Sequence, residues 1–409
     1  MARILIVGGS LAGLFAGNML LRDGHDVRIM ERSATPLDGR GAGIVTHLAL
    51  NDALLKAGLT TLDGLGVEVT RRIVLAPDGA VDQVLATQQV LTSWSRLYSF
   101  LKGLFPQERY IHDASFVGLR ESTGEVHVTL RRSGTEVIEA ADLLIGCDGI
   151  RSSVRGQLWP GVRSQYAGYI AWRGICEERD LSAAARETLF DAFAFGLASN
   201  EQILGYPVAG RGDTTERGRR RYNTVWYRNA PPGPVLADLM TDENGIHFPN
   251  GIAPASVARR HIAAMRKDAC KLLAPQFLEV LEKTEQPFLQ PIYDLTCDEI
   301  ALGRVAIAGD AAFVARPHVG MGVTKAAQDA SALTDCIRDH GATAQALKVY
   351  QSRRLQAGQA VVQRGRELGE YMNTQAHRAE HHHSAASQAL WVLRNVAVDS
   401  SANAASCAR

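Results

Sequence analysis

The apolar residues near the N-terminus form short runs that predict two strands with a helix between them. Arg3–Val7 and Asp26–Met30 are rich in β-branched residues, which is typical of buried strands. The helical stretch between them extends to about Asp23 and is followed by Gly24, a residue that favours the end of a helix. The pattern predicts a β-α-β unit.

Two later apolar runs predict further buried strands, and each ends in a glycine-aspartate pair. The segment Asp142–Gly149 is an apolar strand that ends in Asp148-Gly149, and Val305–Ala308 leads to Gly309-Asp310. After the second pair, the glycines at 320 and 322 predict the start of another helix.

From about residue 159 to 291 the pattern changes to alternating strands rich in Tyr and Trp, which predict a mostly antiparallel sheet on one side of the domain that contains the β-α-β unit. The predicted strands in this region are Tyr166–Ile175, Phe193–Leu197, Gln202–Pro207 and Arg221–Arg228. Before this region, a predicted turn at 77–79 indicates a further pair of strands, one on each side of the turn. After it, residues 343–372 have a helical pattern.

These elements predict an α/β protein with a Rossmann-like domain and a second, mostly antiparallel sheet domain. The Rossmann-like domain is assigned to 1–66, 94–158 and 292–342, the second, sheet domain to 67–93 and 159–291, and a C-terminal helical segment and tail to 343–409. The length of 409 residues agrees with two or three domains.

Composition narrows the function classes. The net charge is +1, with 44 Lys plus Arg against 43 Asp plus Glu, which argues against nucleic acid as a partner. The six cysteines contain no CxxC pair, and this favours reduced thiols in the cytoplasm over disulfides or a metal site. No apolar stretch is long enough for a membrane span.

The turn after the first strand has the spacing of a dinucleotide-binding loop. Gly8 and Gly13 flank the turn, Ser10 stands at the middle glycine position, and Glu31 follows the second strand, where an acidic residue binds ribose hydroxyls. The alternative is a tight β-α turn without a ligand.

The two glycine-aspartate pairs are weak signals when taken separately. Asp148-Gly149 is followed by Ser153 and Arg155, although such a pair is also common in exposed turns. Asp310 precedes a helix N-terminus, so that a carboxylate and free N–H groups are expected at one place.

Taken in order, the three segments resemble the group A flavoprotein aromatic hydroxylases, which have the para-hydroxybenzoate hydroxylase fold. The resemblance covers roughly Arg3 to Met372. The stretches Tyr166–Gly174 and Ala315–His318 are most similar to hydroxylases of hydroxypyridines. The resemblance implies that the Rossmann-like domain is an FAD-binding domain and that the second, sheet domain is a substrate-binding domain.

The resemblance implies FAD as cofactor and NAD(P)H as reductant. Glu31 would hold the adenosine ribose, Gly8 and Gly13 would approach the pyrophosphate, and Asp310 would hold the ribityl chain. The cofactor-binding residues implied are Gly8, Ser10, Gly13, Glu31, Arg32, Arg40, Arg96, Asp148, Asp310, Gly320 and Gly322. The chain departs from the family at Phe313, at Arg316 and at Val323-Thr324-Lys325.

In this family the reduced flavin reacts with O₂ to give a C4a-hydroperoxide, which hydroxylates an electron-rich ring. A near-neutral base helps to ionise the ring hydroxyl, and His suits that task. His47 is the first candidate and His318 the second, while Tyr206 and Tyr227 are candidates for packing or hydrogen bonding to the ring. A structural role in the core is the alternative for each of them.

The expected partners are a small aromatic substrate, O₂ and NAD(P)H, with a homodimer as the expected assembly. Two other function classes stay open at this stage. One is a flavin oxidoreductase of related fold without oxygen insertion, and the other is a non-catalytic protein that binds small aromatics.

Overall fold

The computed structural model of the chain describes residues 1–37, 43–370, 372 and 385–398. Three sheets make up its β structure: a six-stranded sheet, an eight-stranded sheet and a three-stranded sheet. The α/β fold class expected from the sequence, with a Rossmann-like part and a mostly antiparallel sheet, is confirmed.

The six-stranded sheet is the Rossmann-like part. Its order is β16-β17-β10-β1-β2-β6, and every pair is parallel except β16 with β17. The strands are β1 (Arg3–Val7), β2 (Asp26–Met30), β6 (Tyr110–Ile111), β10 (Leu143–Gly146), β16 (Ala301–Leu302) and β17 (Val305–Ile307). The carboxyl ends of β1, β10 and β17 lie side by side and bring the three sequence motifs together.

The eight-stranded sheet has the order β15-β11-β14-β13-β12-β4-β5-β3. Its pairs are antiparallel except β12 with β4. The strands are β3 (Gly43–Val45), β4 (Val67–Leu75), β5 (Val81–Ser93), β11 (Gln165–Glu177), β12 (Ala192–Ala198), β13 (Glu201–Val208), β14 (Arg221–Asn229) and β15 (Phe288–Asp294).

The three-stranded sheet is a meander of β7 (Ala114–Ser122), β8 (Glu125–Arg132) and β9 (Thr135–Ala141).

Eleven α-helices occur in the described part of the chain. They are α1 (Leu11–Arg22), α2 (Leu48–Ala57), α3 (Trp94–Leu104), α4 (Ser153–Leu158), α5 (Ala183–Leu189), α6 (Pro234–Leu239), α7 (Arg259–Leu272), α8 (Pro275–Lys283), α9 (Gly322–His340), α10 (Ala344–Glu370) and α11 (Ala385–Asn395). None of the described helices is long and apolar enough to cross a membrane.

The sequence pattern missed four helices: α4, α5, α8 and α11. The sequence-based domain limits include β3 in the Rossmann-like domain. In the structure, β3 pairs with β5 at the edge of the eight-stranded sheet. Within the basic cluster at 217–221, Arg220 is 7% exposed and forms an ion pair of 2.7 Å with Glu178. The domain limits given above stay a prediction.

Candidate active site

The loop after β1 approaches its neighbours so closely that only glycine fits at two positions. Gly8 has a φ of +105°, and a Cβ there would lie 2.3 Å from the carbonyl oxygen of Cys147. At Gly13 a Cβ would lie 2.0 Å from the carbonyl oxygen of Gly8. Ser10 is the N-cap residue of α1, yet its side chain makes no capping hydrogen bond. The first turn of α1 therefore keeps its N–H groups available for a phosphate.

Glu31 lies beside this loop at the end of β2. Its carboxylate accepts hydrogen bonds of 2.8 Å from the backbone N–H groups of Gly9 and Ser33, and the residue is 7% exposed. These contacts fix the carboxylate next to the loop. Arg32 is exposed, and Arg40 lies outside the described residues.

Arg96, in the first turn of α3, uses its guanidinium within the protein. It donates to the carbonyl oxygens of Gly64 and Asp213, each at 2.6 Å, and lies 3.4 Å from the Asp213 carboxylate. The structure thus gives Arg96 structural contacts, and its role at the FAD phosphates stays a prediction.

The two aspartates of the motifs differ in how their oxygens are used. Asp148 accepts from the backbone N–H of Ser153 at 2.7 Å, while its second oxygen is buried without a partner. Asp310 faces the cavity described below, and no described group donates a hydrogen bond to its carboxylate. Desolvation by the surrounding protein raises the pKa of Asp310 above its ordinary value, and Lys325 opposes that rise.

These features fit FAD. The glycine cradle and the free first turn of α1 suit a pyrophosphate, Glu31 is placed for ribose hydroxyls, and the unused oxygens of Asp148 and Asp310 can accept hydrogen bonds from a polyhydroxyl chain.

A cavity of about 320 Å³, called here the ring cavity, lies between the loop 314–323 and the eight-stranded sheet. It meets the cofactor elements at Asp310, Gly320 and Gly322, and the sheet contributes Tyr206 and Tyr227. Burial raises the pKa of Tyr227 to about 12 and that of Tyr206 further, so both hydroxyls are neutral donors at physiological pH. The volume is at the lower end for ligand pockets and suits a single aromatic ring.

His318 is packed behind the ring cavity and has no free nitrogen. Its Nδ1 lies 3.2 Å from Oε1 of Gln202, and its Nε2 lies 3.0 Å from the hydroxyl of Tyr169. The residue is 1% exposed, and burial lowers the pKa of His318 to about 3, with Arg316 contributing. The imidazole is neutral, and its ring centre lies 4.2 Å from that of Tyr227.

His47 lies at the N-cap of α2 and contacts the loop at the other end of the ring cavity. Its Nε2 is 3.2 Å from the carbonyl oxygen of Gly320, and the residue is 8% exposed. Its side chain borders a second cavity of about 820 Å³, formed with β4, β5 and α11. His47 thus connects the N-terminus of α2 to the loop before α9.

Sequence reasoning missed two arginines of the ring cavity. Arg173 on β11 projects from the same face as Tyr169, and its Nη1 donates to Oε1 of Gln290 at 2.9 Å. Arg316 pairs through Nε with the buried carboxylate of Asp294 at 2.8 Å. The sequence contained one signal for Arg173. It is a charged residue within a predicted strand that is otherwise rich in apolar residues, on the face shared with every second residue of that strand.

Comparison with known protein families shows which class of protein has this fold and site. Two family models described as FAD binding domain and FAD binding domain-like match residues 1–60 with 273–365 and residues 166–294, respectively. The first covers both the glycine loop and the Gly309-Asp310 turn. The fold and the site therefore define an FAD-binding flavoprotein.

Relatives that match over most of this chain show which kind of flavoprotein it is. The chain is 33% identical over 367 residues to 2,6-dihydroxypyridine 3-monooxygenase of Paenarthrobacter nicotinovorans, with 90% of each chain covered. It is 28% identical to kynurenine 3-monooxygenase of Salinispora arenicola, covering 86% of this chain and 76% of the other. The chain belongs to the family of FAD-dependent monooxygenases, as the sequence resemblance indicated.

Solved structures agree. The structure of 2,6-dihydroxypyridine-3-hydroxylase from Arthrobacter nicotinovorans matches with a TM-score of 0.84 and 32% identity, covering 91% of this chain and 92% of the other. Klebsiella pneumoniae HpxO, solved with FAD and uric acid, has the same fold, with a TM-score of 0.76 at 17% identity and coverage of 96% and 93%. FAD is the cofactor of this chain and NAD(P)H its co-substrate.

Proposed function

We propose that the enzyme hydroxylates a small aromatic ring that already carries a hydroxyl group, and that hydroxypyridines are its substrate class. The observation that carries the proposal is the ring cavity, which is of single-ring size, lined by two tyrosines and continuous with the cofactor elements at Asp310 and Gly320. The similarity to 2,6-dihydroxypyridine 3-monooxygenase over 90% of the chain supports the hydroxypyridine assignment.

FAD, once bound and reduced by NAD(P)H, supplies electrophilic oxygen derived from O₂. The chain's own residues bind and orient the partners. Gly8, Ser10 and Gly13 receive the pyrophosphate, while Glu31 and Asp310 accept hydrogen bonds from ribose and ribityl hydroxyls.

On the substrate side, Tyr206 and Tyr227 hold the ring and can donate hydrogen bonds to its oxygen substituents. We assign His318 to positioning, because its contacts with Tyr169 and Gln202 fix the wall behind Tyr227. His47 remains the candidate for proton transfer, and its contact with the carbonyl oxygen of Gly320, in the loop before α9, supports this role.

The deciding experiment is a screen of hydroxypyridines and phenols for stimulation of NAD(P)H oxidation by the FAD-loaded enzyme. The reaction is then run under ¹⁸O₂, and we expect one labelled oxygen atom in the product ring. Stimulated oxidation without label in the product would favour an oxidoreductase that inserts no oxygen. Absence of NAD(P)H oxidation with every ring, although FAD is bound, would favour a binding protein.

The cellular setting and assembly belong to the same proposal. Cys147, Cys176, Cys270, Cys297 and Cys336 are free thiols, which suits the reducing cytoplasm. A homodimer is the proposed assembly, and sedimentation of the FAD-loaded enzyme tests it.

A further inference from the structure

Arg173 is a cation inside the ring cavity that the mechanism above does not use. It lies on β11 opposite Val225 of β14, on the face of the sheet that also carries Tyr227. Its Nε is buried without a hydrogen-bond partner, and among the described residues its guanidinium donates a hydrogen bond to the neutral side chain of Gln290. A buried guanidinium N–H without an acceptor is costly, so that an acceptor supplied by a ligand would be favourable here.

No carboxylate of the described residues pairs with Arg173. The other arginine of the cavity, Arg316, is balanced by Asp294, which also accepts from Arg366 at 2.7 Å. Asp310 is the one carboxylate among the described residues that line the cavity, and it lies with the cofactor elements. The substrate end of the cavity therefore carries an uncompensated positive charge.

The groups that face Arg173 from the neighbouring strands are neutral. Tyr206 of β13 and Tyr227 of β14 feel its charge, which opposes the rise of their pKa values, and Gln290 of β15 is an amide. Two hydroxyl donors and one guanidinium thus surround the same space. This set of donors is complementary to an oxygen that bears negative charge.

We propose that Arg173 binds the ionised oxygen of the substrate ring, so that the enzyme selects the anionic form of its hydroxylated aromatic substrate. The proposal deepens the proposed function and rests on it. A ring anion is more electron-rich than the neutral hydroxyl compound and reacts more readily with an electrophile. The nearby positive charge of Arg173 lowers the pKa of the ring hydroxyl in the bound state, and this assists its ionisation when a base such as His47 takes the proton.

The test uses the FAD-loaded enzyme without NAD(P)H, so that no probe can turn over, and two single-ring probes, phenol and pentafluorophenol. At neutral pH phenol is mainly neutral, whereas pentafluorophenol is mainly ionised. Dissociation constants are measured from the change in flavin fluorescence for the wild type, Arg173→Gln and Arg173→Lys. Arg131→Gln is the matched control, because Arg131 is an exposed arginine on β8 that pairs with Glu136.

We expect Arg173→Gln to weaken pentafluorophenol binding about 10- to 100-fold, the range for one charge-assisted hydrogen bond, and phenol binding less than about threefold. Arg173→Lys keeps the charge and should fall between the wild type and Arg173→Gln. Arg131→Gln should bind both probes as the wild type does. Equal loss for both probes, or no loss for pentafluorophenol, would overturn the proposal.

A second measurement covers the case in which Arg173→Gln does not retain FAD. For the wild type, the affinity for pentafluorophenol should fall as the pH drops below the pKa of the probe, while that for phenol stays level. Affinity that does not follow ionisation of the probe overturns the inference. The ¹⁸O₂ experiment does not depend on this outcome. An enzyme that hydroxylates rings but binds the neutral and the ionised probe equally well would disprove the role of Arg173 and leave the proposed function intact.

Discussion

At the scale of single residues, the acidic groups of the cofactor site differ in how the protein holds them. Both oxygens of Glu31 already accept backbone hydrogen bonds, so that its position is set before the cofactor binds. Asp310 has no donor among the described residues and is held only by the turn after β17. Loss of the Asp310 carboxylate should therefore affect the cofactor more than the fold.

We expect Asp310→Ala to weaken FAD binding by roughly 10- to 100-fold, because a hydrogen bond to a charged group contributes about 1.5–3 kcal/mol. The measurement is titration of apoprotein with FAD, followed by flavin fluorescence. Asp298→Ala, at an exposed aspartate of the same segment, is the control and should bind FAD normally. Unchanged affinity in Asp310→Ala would mean that this carboxylate does not hold the ribityl chain.

His47 gives a second prediction at this scale. If it transfers a proton, His47→Ala should lower the rate of hydroxylation by about 10²–10⁴-fold while FAD stays bound. His47→Gln can keep a hydrogen bond to the Gly320 carbonyl but cannot take the proton. Near-normal activity in His47→Gln would leave an orienting role, and a wild-type rate in His47→Ala between pH 6 and 9 would exclude both roles.

At the scale of elements, α11 completes the wall of the ring cavity from far along the chain. Val396 and Ala397, directly after this helix, line the cavity, and the N–H of Ala397 donates to the carbonyl oxygen of His318 at 2.8 Å. Arg72, 1% exposed on β4, donates to the carbonyl oxygens of Leu393 and Val396 at 2.7 and 2.9 Å. A buried guanidinium thus caps the negative end of α11.

We expect Arg72→Gln to release this segment, because the last carbonyls of α11 lose a charged donor. Hydrogen exchange of the amides in 386–397 should accelerate about 10- to 100-fold, and affinity for aromatic ligands should fall. Arg71→Gln is the matched control, since Arg71 is the neighbouring arginine, 35% exposed, and lies 3.9 Å from Asp191. Equal protection of these amides in wild type and Arg72→Gln would show that packing alone holds the segment.

The elements also show why some of the site could be predicted from sequence and some could not. Gly8, Gly13 and Asp310 stand at fixed offsets from strands whose apolar pattern is local, and therefore the pattern alone was enough to propose them as cofactor-binding residues. Arg173 is recognisable as a cavity residue only once β11 pairs with β14 and β15, which are distant in sequence. Helix α11 follows residues with no clear periodicity and is held by contacts across more than 300 positions.

At the scale of the whole molecule, the FAD-dependent monooxygenase fold joins a mostly parallel sheet to a mostly antiparallel one. The ring cavity lies between the eight-stranded sheet and the loop 314–323. The class was predictable because three weak motifs occur in one order. The roles of the histidines were not, because burial decides whether an imidazole can titrate near neutral pH. His318 illustrates this: the sequence offered it as a base, and the fold surrounds it with fixed partners.

The burial of His318 makes stability of the whole molecule depend on pH. Its folded-state pKa of about 3 is below the value of 6.5 for a free histidine, so the unfolded chain binds the proton more readily. The stabilisation is therefore complete above pH 6.5 and is lost as the pH falls from there towards 3. Between pH 6 and pH 4 the free energy of unfolding should fall by roughly 1 kcal/mol per pH unit from this residue.

Urea denaturation of the FAD-loaded enzyme at pH 7, 6, 5 and 4 checks this prediction. Other groups also titrate in this range, so the comparison that matters is between wild type and His318→Gln. The variant loses the contact with Tyr169 and starts less stable, but its free energy of unfolding should decline less steeply with acidification. His340→Gln, at an exposed histidine at the end of α9, should follow the wild-type slope. If all three slopes coincide, His318 is not held neutral by the fold, and its place as the second candidate base is restored.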